Sequence, residues 1–371
     1  MRKLFFLLLI AIAVLFSSCQ SSVGISYMVP SEIDMGSYRN IALASTVPYD
    51  AFIKPSRYIR TVDFIARQGF GYVLSSYGWD LKDDVATYAT ERIMSTLSDS
   101  GYFSILPPSV TDKILSASSI GISARNEFAR RGIDAVIIPR IDNMSVDEYV
   151  YSRTRVEERT DRNGKKYETE VTDFYYDADY YLTLSYTIVD AKSERIVATR
   201  KFVVDDSDNF RLSGPYFLSN YPLRSFKNMI DSTMSRITRQ PVPLRTSVSL
   251  TLMDNKPESE RAKAAYEAVD DGNYTYAATL FYDNFKASGH VPSGYNAALV
   301  TAATGDIETA ISIADDVYAK SGNSEVSALK SRLISIKQSN EESIRQIEGS
   351  SSPSSSSSYG LNLSIYDTLL R

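Results

Sequence analysis

Two periods govern the placement of apolar residues in this chain, and the switch between them divides it. Between residues 38 and 245, short apolar runs alternate with amphipathic stretches. The run Asn40, Ile41, Ala42, Leu43, Ala44 is short and continuous, as a strand covered on both faces requires. Residues 80–98 repeat Val85, Ala89, Ile93 and Leu97 at four-residue spacing, which predicts a helix with one stripe on a core. Asp80, Asp83 and Asp84 complement the dipole of its first turn, and Gly101 ends it. Residues 103–106 alternate into a short strand stopped by Pro107 and Pro108. Residues 110–117 and 123–131 predict two short helices, and 135–138 a central buried strand. Residues 46–79, with Pro55, Gly69, Gly71 and Gly78, predict a long, partly helical insertion.

A long hairpin is predicted next. Its arms, 144–160 and 165–181, flank Asp161-Arg162-Asn163-Gly164, and Asn-Gly predicts a type I′ turn with positive φ at both central residues. Arg153, Arg155, Glu157, Glu158, Arg159, Lys165, Lys166, Glu168 and Glu170 charge both faces, so the tip stands in water. Residues 182–189 and 196–204 predict a further strand pair. Residues 222–239 predict a closing helix whose stripe is Phe226, Met229, Ile230, Met234 and Ile237.

Pro241, Pro243 and Pro257 mark the change of class, and residues 259–346 read as helical throughout. Gly272-Asn273-Tyr274 followed by Ala277 recurs 33 residues later as Gly305-Asp306-Ile307 followed by Ala310. Helices are predicted before each glycine, at 262–269 and 295–303, and after each, at 276–285 and 307–318. The glycine allows a tight turn and the alanines allow paired helices to approach, which is the unit of an α-solenoid. The expected fold class is α+β: a mixed sheet with packed helices and a long hairpin, followed by a short all-α helical-repeat domain. Residues 347–358 are a serine-rich linker. The tail, 359–371, alternates like a strand at Leu361, Leu363 and Ile365.

The N-terminus sets the compartment. Arg2 and Lys3 precede an apolar run at 4–16, then come Ser17, Ser18 and Cys19. The run has the length of a signal-peptide core and is too short to span a bilayer comfortably. Small residues before a cysteine resemble the lipobox of bacterial lipoproteins, in which the thiol is acylated and the chain is cut before it. Leu15 lies one position upstream of the usual leucine and Phe16 takes its place, as in looser lipoboxes of spirochaetes. The resemblance implies a signal peptide at 1–18, lipid on Cys19, and a tether at 19–37. Cys19 is the only cysteine of 371 residues, so it has no disulfide partner within the chain. The expected location is membrane-anchored and periplasm-facing, at the outer membrane: Gln20 and not aspartate follows the cysteine, which resembles outer-membrane sorting in enterobacteria. A net charge of −5 argues against a nucleic-acid partner. The 26 tyrosines, many of them between 149 and 186, suit strand packing.

Two further resemblances follow. The helical part resembles tetratricopeptide repeats at Gly272, Tyr274 and Ala277, although the usual early tryptophan is absent and Ile307 replaces an aromatic in the second repeat. Residues 38–245 resemble the domain shared by the curli-secretion lipoprotein, the activator lipoproteins of penicillin-binding proteins and the amino-terminal domain of TolB. The strand at 40–44, the helix at 85–97, Gly101 to Leu106, Gly132 to Ile138, and Leu184 to Ala191 leading to Ile196 carry that likeness. A channel-forming member needs apolar hairpins facing lipid, whereas the hairpin around Asn163-Gly164 is charged.

No catalytic, metal or cofactor constellation emerges. His290 is the only histidine and lies in a loop between helices, which leaves no ordinary His/Cys zinc site and no triad built elsewhere. Asp205, Asp206 and Asp208 read as a solvated strand end, not a calcium loop. Glu157 and Glu158 are adjacent on a strand and point to opposite faces. The expected function is a non-catalytic, lipid-anchored module that binds an envelope protein. The alternatives are an oligomeric secretion lipoprotein related to the curli channel and a carboxylate-dependent glycan enzyme of the cell wall. The residues singled out are Cys19 for lipid and Gly272, Tyr274, Ala277, Gly305 and Ala310 for repeat turns and packing.

Overall fold

A computed structural model describes residues 21–51, 79–118, 123–212, 221–253, 260–349, Tyr366 and Leu369. Cys19 and the insertion expected at 46–79, apart from its ends, lie outside these residues. The chain divides into two compact units, Glu32–Val242 with Gly349–Arg371, and Met1–Ser31 with Pro243–Glu348.

The first of these units is the α/β part. Its sheet runs β3-β2-β4-β5-β6, with β2 (Asn40–Leu43) parallel to both β3 (Ser104–Leu106) and β4 (Ala135–Thr160). β4, β5 (Lys166–Asp190) and β6 (Ile196–Leu212) form antiparallel pairs. The sheet is therefore mixed, and the α+β expectation holds. Period-2 alternation sorts its residues. Ala42, Ala44, Val136, Ile138 and Val189 face one layer with α2 (Pro108–Ser118) and α3 (Ala124–Arg130), where Phe128 and Tyr366 are fully buried. Ile41, Leu43, Ala135, Ile137 and Ile188 alternate to the opposite face. There α1 (Trp79–Asp99) packs against α4 (Tyr221–Arg239), which crosses β5 and β6. The stripe Phe226, Met229, Ile230, Met234 and Ile237 is buried throughout, and Tyr180 meets Phe226 edge-on at 5.8 Å. Arg92 of α1 bridges Asp231 of α4 at 2.6 Å, and the Tyr88 hydroxyl donates to the same carboxylate at 2.9 Å.

The hairpin differs from expectation in two ways. Residues 135–138 and 144–160 are one strand, β4, and 165–181 and 182–189 are likewise one strand, β5. Pro139 does not break β4 because its missing donor points to the β2 side, past the end of β2, where only its carbonyl is used, by Val47 N–H at 2.9 Å. A bulge between Ile141 and Asn143 absorbs the remaining irregularity. The turn is also not type I′. Gly164 takes positive φ (80°) but Asn163 does not, so a type I reversal is closed by a left-handed glycine. Asp161 Oδ1 ties it by accepting from Asn163 N–H at 2.8 Å and Lys165 N–H at 2.9 Å. β6 pairs with β5 only as far as Phe174, and the distal arms beyond it are a charged two-stranded ribbon. Asp205, Asp206 and Asp208 lie inside β6, opposite Tyr181, Tyr180 and Ala178, and not at a strand end.

The second unit corrects the tether. Ser22–Val29 is strand β1, paired antiparallel with β7 (Leu244–Thr251) from Ser22↔Thr251 to Val29↔Leu244. Val23 and Ile25 are fully buried against the helices. Apolar Val23, Ile25 and Tyr27 alternate as a half-buried strand requires; the partner lies more than two hundred residues away and only the fold supplies it. α5 (Glu260–Asp270), α6 (Tyr274–Ser288), α7 (Val291–Ala303), α8 (Ile307–Ser321) and α9 (Ser324–Glu348) follow, each packed on the next or on a near neighbour. Their shared core holds Ala265, Phe281, Phe285, Ala297, Ala314, Val317 and Leu333. Among the described residues no helix is long and apolar enough to cross a membrane.

Candidate binding groove in the helical unit

The repeat positions sit at equivalent points of two helical hairpins. Gly272 (φ 74°) and Gly305 (φ 95°) make the turns into α6 and α8, at a conformation where a Cβ is strained. Asn273 and Asp306 cap those helices, accepting from Tyr276 N–H at 3.4 Å and Thr309 N–H at 3.0 Å. The cap donors hold the Asp306 carboxyl below its ordinary value, led by the backbone N–H of Thr309. Ala277 and Ala310 are fully buried, and Tyr274 packs half-buried on the same core. These residues build the scaffold and line no common site, apart from Asp306, whose helix start borders the groove described next.

One face of α6 buries Ala277, Phe281 and Phe285. The adjacent stripe, Thr275, Thr279, Tyr282 and Lys286, follows four-, three- and four-residue steps and is left for another surface. With Thr301 and Thr304 of the α7 end and Asp306 and Thr309 of the α8 start, it lines a cavity of about 320 Å³. Ala278 and Ile313 form its apolar floor, and Asp283 adds a carboxylate. Lys286 Nζ lies 4.1 Å from the centre of the Tyr282 ring. The Tyr282 hydroxyl donates to Asp316 Oδ2 at 3.4 Å, and Lys320 Nζ reaches the same carboxylate at 2.9 Å. Desolvation first, then the Asp316 charge, pushes the Tyr282 phenol up, so it stays a neutral donor. The groove thus offers hydroxyls, one ammonium, carboxylates and a small apolar floor. It is suited to the backbone and polar side chains of a bound segment.

His290 precedes α7 as its N-terminal flanking residue, and its Nδ1 lies 3.1 Å from Ser293 Oγ. It stands apart from the groove lining. Glu157 and Glu158 are on the charged arm, where Lys166 Nζ pairs with Glu158 at 2.6 Å. No group of three or more His, Cys, Asp or Glu residues that could hold a metal occurs among the described residues. Sequence reasoning missed Tyr282, Lys286 and the threonines; their signal was the second stripe on α6, beside the buried one.

No protein family and no curated protein matches the chain. Among solved structures, a PelC dodecamer variant from Paraburkholderia phytofirmans is similar at 9% identity and TM-score 0.21, over 59% of this chain and 99% of that one. A second PelC dodecamer structure from the same organism matches at 10% identity and TM-score 0.20, over 59% and 98%. A neuraminyllactose-binding hemagglutinin homolog from Helicobacter pylori matches at 13% identity and TM-score 0.26, over 64% and 95%. At these scores no role is carried over from them.

Proposed function

We propose that this chain is a non-catalytic protein-binding module of the bacterial envelope, held to a membrane by lipid on Cys19, with its working surface on the helical unit. The observation that carries the reading is the groove of about 320 Å³ between α6, α7 and α8, polar-walled and apolar-floored. Its chemistry suits an extended protein segment, whose carbonyls accept from Thr and Lys donors and whose amides donate to Asp283 and Asp306. The N-terminal pattern of Arg2, Lys3, the apolar run and Cys19 supports the anchor.

The test is crosslinked capture from native membranes with the full chain and with the double variant Tyr282→Ala, Lys286→Glu. Both positions line the groove; Lys286 is exposed, and Tyr282 is half-buried against the edge of the core. A partner held by the first and lost by the second supports the groove. A partner held equally by both removes it as the working surface. A chain cut near Pro243 lacks β7 and leaves Val23 and Ile25 of β1 without their paired strand.

A further inference from the structure

The β1–β7 ribbon has unequal edges. Leu252 N–H donates to the Ser21 carbonyl at 2.9 Å, which fixes the phase of the ladder. The N–H groups of Leu244, Thr246, Val248 and Leu250 then point to β1, and those of Arg245, Ser247, Ser249 and Thr251 point outward. On β1 the outer edge is met by α9: Met28 N–H donates to Asn340 Oδ1 at 2.7 Å. On β7 the outward backbone groups have no hydrogen-bond partner among the described residues. Proteins blunt such an edge with charge, proline, a bulge or a cover. Here Arg245 is the only charge of β7 and stands near its start, while Pro243 lies outside it. Beside the strand is a cavity of about 290 Å³, lined by Leu250, Tyr295, Ala328 and Leu329 with Glu325 and Arg332.

We propose that a second copy of this chain pairs at this edge, β7 antiparallel to β7, joining the two ribbons into one sheet. The strand is self-complementary about Val248. With Val248 opposite Val248 of the second copy, Ser247 faces Ser249 and Arg245 faces Thr251. No like charges meet, and every outward N–H and C=O gains a partner. On the helix-facing side, Thr246 of the second copy falls opposite Leu250, and its Leu244 lies diagonal to Leu250, beside the cavity. The contact is a strand edge, smaller than a standard interface, so the dimer is of the weak, transient class in solution. Two copies on one membrane pair more fully, because anchoring raises their effective concentration.

Sedimentation of the full chain in detergent, across the micromolar range, is expected to show a monomer–dimer equilibrium. Ser249→Pro deletes one outward N–H and no bond to β1, and is expected to lose the dimer with an unchanged melting temperature. Val248→Cys, in a Cys19→Ser background, is expected to form a covalent dimer under mild oxidation. A non-hydrogen-bonded antiparallel pair places Cα atoms about 4.5 Å apart, within disulfide reach. A chain that is monomeric at every concentration overturns the proposal, as does a dimer that Ser249→Pro leaves intact while Val248→Cys does not crosslink. Where Ser249→Pro fails to fold, the Val248→Cys crosslink decides alone: its presence supports the pairing and its absence overturns it.

Discussion

The side chain of Asn296, on helix α7, takes both backbone hydrogen bonds of Met253, just past the end of β7. Met253 N–H donates to Asn296 Oδ1 at 2.7 Å, and Asn296 Nδ2 donates to the Met253 carbonyl at 3.0 Å. An amide side chain thus stands in for a neighbouring strand. Nδ2 also donates to the Tyr266 hydroxyl at 2.9 Å, which in turn donates to the same Met253 carbonyl at 2.7 Å. Gln346 of α9 does the same at the far end of the ribbon, accepting from Ser31 N–H at 2.8 Å and donating to the Ser31 carbonyl at 3.3 Å. Two amides therefore fasten the ribbon to the helices.

Asn296→Leu keeps the branched shape but strips the Met253 N–H of its partner and leaves the Met253 carbonyl only the Tyr266 hydroxyl. Asn296 is fully buried, and an unmet buried backbone group costs about 1–3 kcal/mol. The expected loss is about 2 kcal/mol by urea unfolding, with Asn296→Ala no milder. If Asn296→Leu unfolds at the wild-type midpoint, the fastening role is wrong.

Gly294, in the same helix, is required by proximity. A Cβ there would lie 2.5 Å from Val317 Cγ2 and 3.0 Å from Phe285 Cδ2. Gly294 sits mid-core, where neighbours cannot retreat, so the helical preference for alanine is overridden by overpacking. Gly294→Ala is expected to cost about 1–3 kcal/mol. Combining it with Val317→Ala should recover part of that loss in thermal melts, since the opposing methyls are then gone.

Much of the fold was readable because local pattern and tertiary role agree. The Phe226 to Ile237 stripe and the Val85 to Leu97 stripe are buried as their spacing implies. What was not readable is non-local. Val23, Ile25 and Tyr27 alternate visibly, but Gly24 and Pro30 nearby suggest a tether until β7 is known to pair with them. Pro139 and Asn143 look like breaks in β4, and only the position of β2 shows why the strand tolerates them. At the groove, the repeat glycines and alanines identified the turns and contacts of the scaffold. The groove wall was hidden because Thr275, Thr279, Tyr282 and Lys286 come together with Thr301 and Thr309 only when three helices pack.

Asp173 fastens the charged arm to the sheet. It is 6% exposed and accepts from Arg155 Nε of β4 at 2.8 Å, while Arg211 of β6 pairs with it at 2.5 Å. The Arg155 hydrogen bond, followed by the Arg211 charge, holds its carboxyl below the ordinary value of 3.8. A carboxylate depressed in the folded state contributes stability that is fully present above 3.8 and is lost as pH falls through its lower folded value. Asp173→Asn should therefore speed hydrogen exchange along 153–172 at neutral pH, leaving α1 and α4 protected. Lowering the pH below 3.8 should narrow the difference between variant and wild type. Equal exchange of the arm in both proteins at neutral pH would show that the three-strand contact does not hold it.

Tyr366 supplies the last prediction, because its ring and its hydroxyl act in opposite directions. The side chain is fully buried and meets Phe128 edge-on at 5.9 Å, beside Ala42, Ile114 and Val136. Its hydroxyl is buried with no hydrogen-bond partner among the described residues. Tyr366→Phe keeps the ring and removes the stranded hydroxyl, so it should gain about 1 kcal/mol. Tyr366→Ala removes the ring as well and should cost about 3 kcal/mol. Burial, then the charges of Glu194 and Asp190, raise the phenol above its ordinary 10.0. The unfolded chain therefore ionises first: the contribution is whole below 10.0 and is lost as pH rises toward the higher folded value. Tyr38, which donates to Asp190, and buried Tyr186 are raised too, both chiefly by burial. Urea unfolding at about pH 8 and about pH 11 should show stability falling for wild type and falling less for Tyr366→Phe. A Tyr366→Phe chain that is less stable at pH 8 would mean that the hydroxyl has a partner after all.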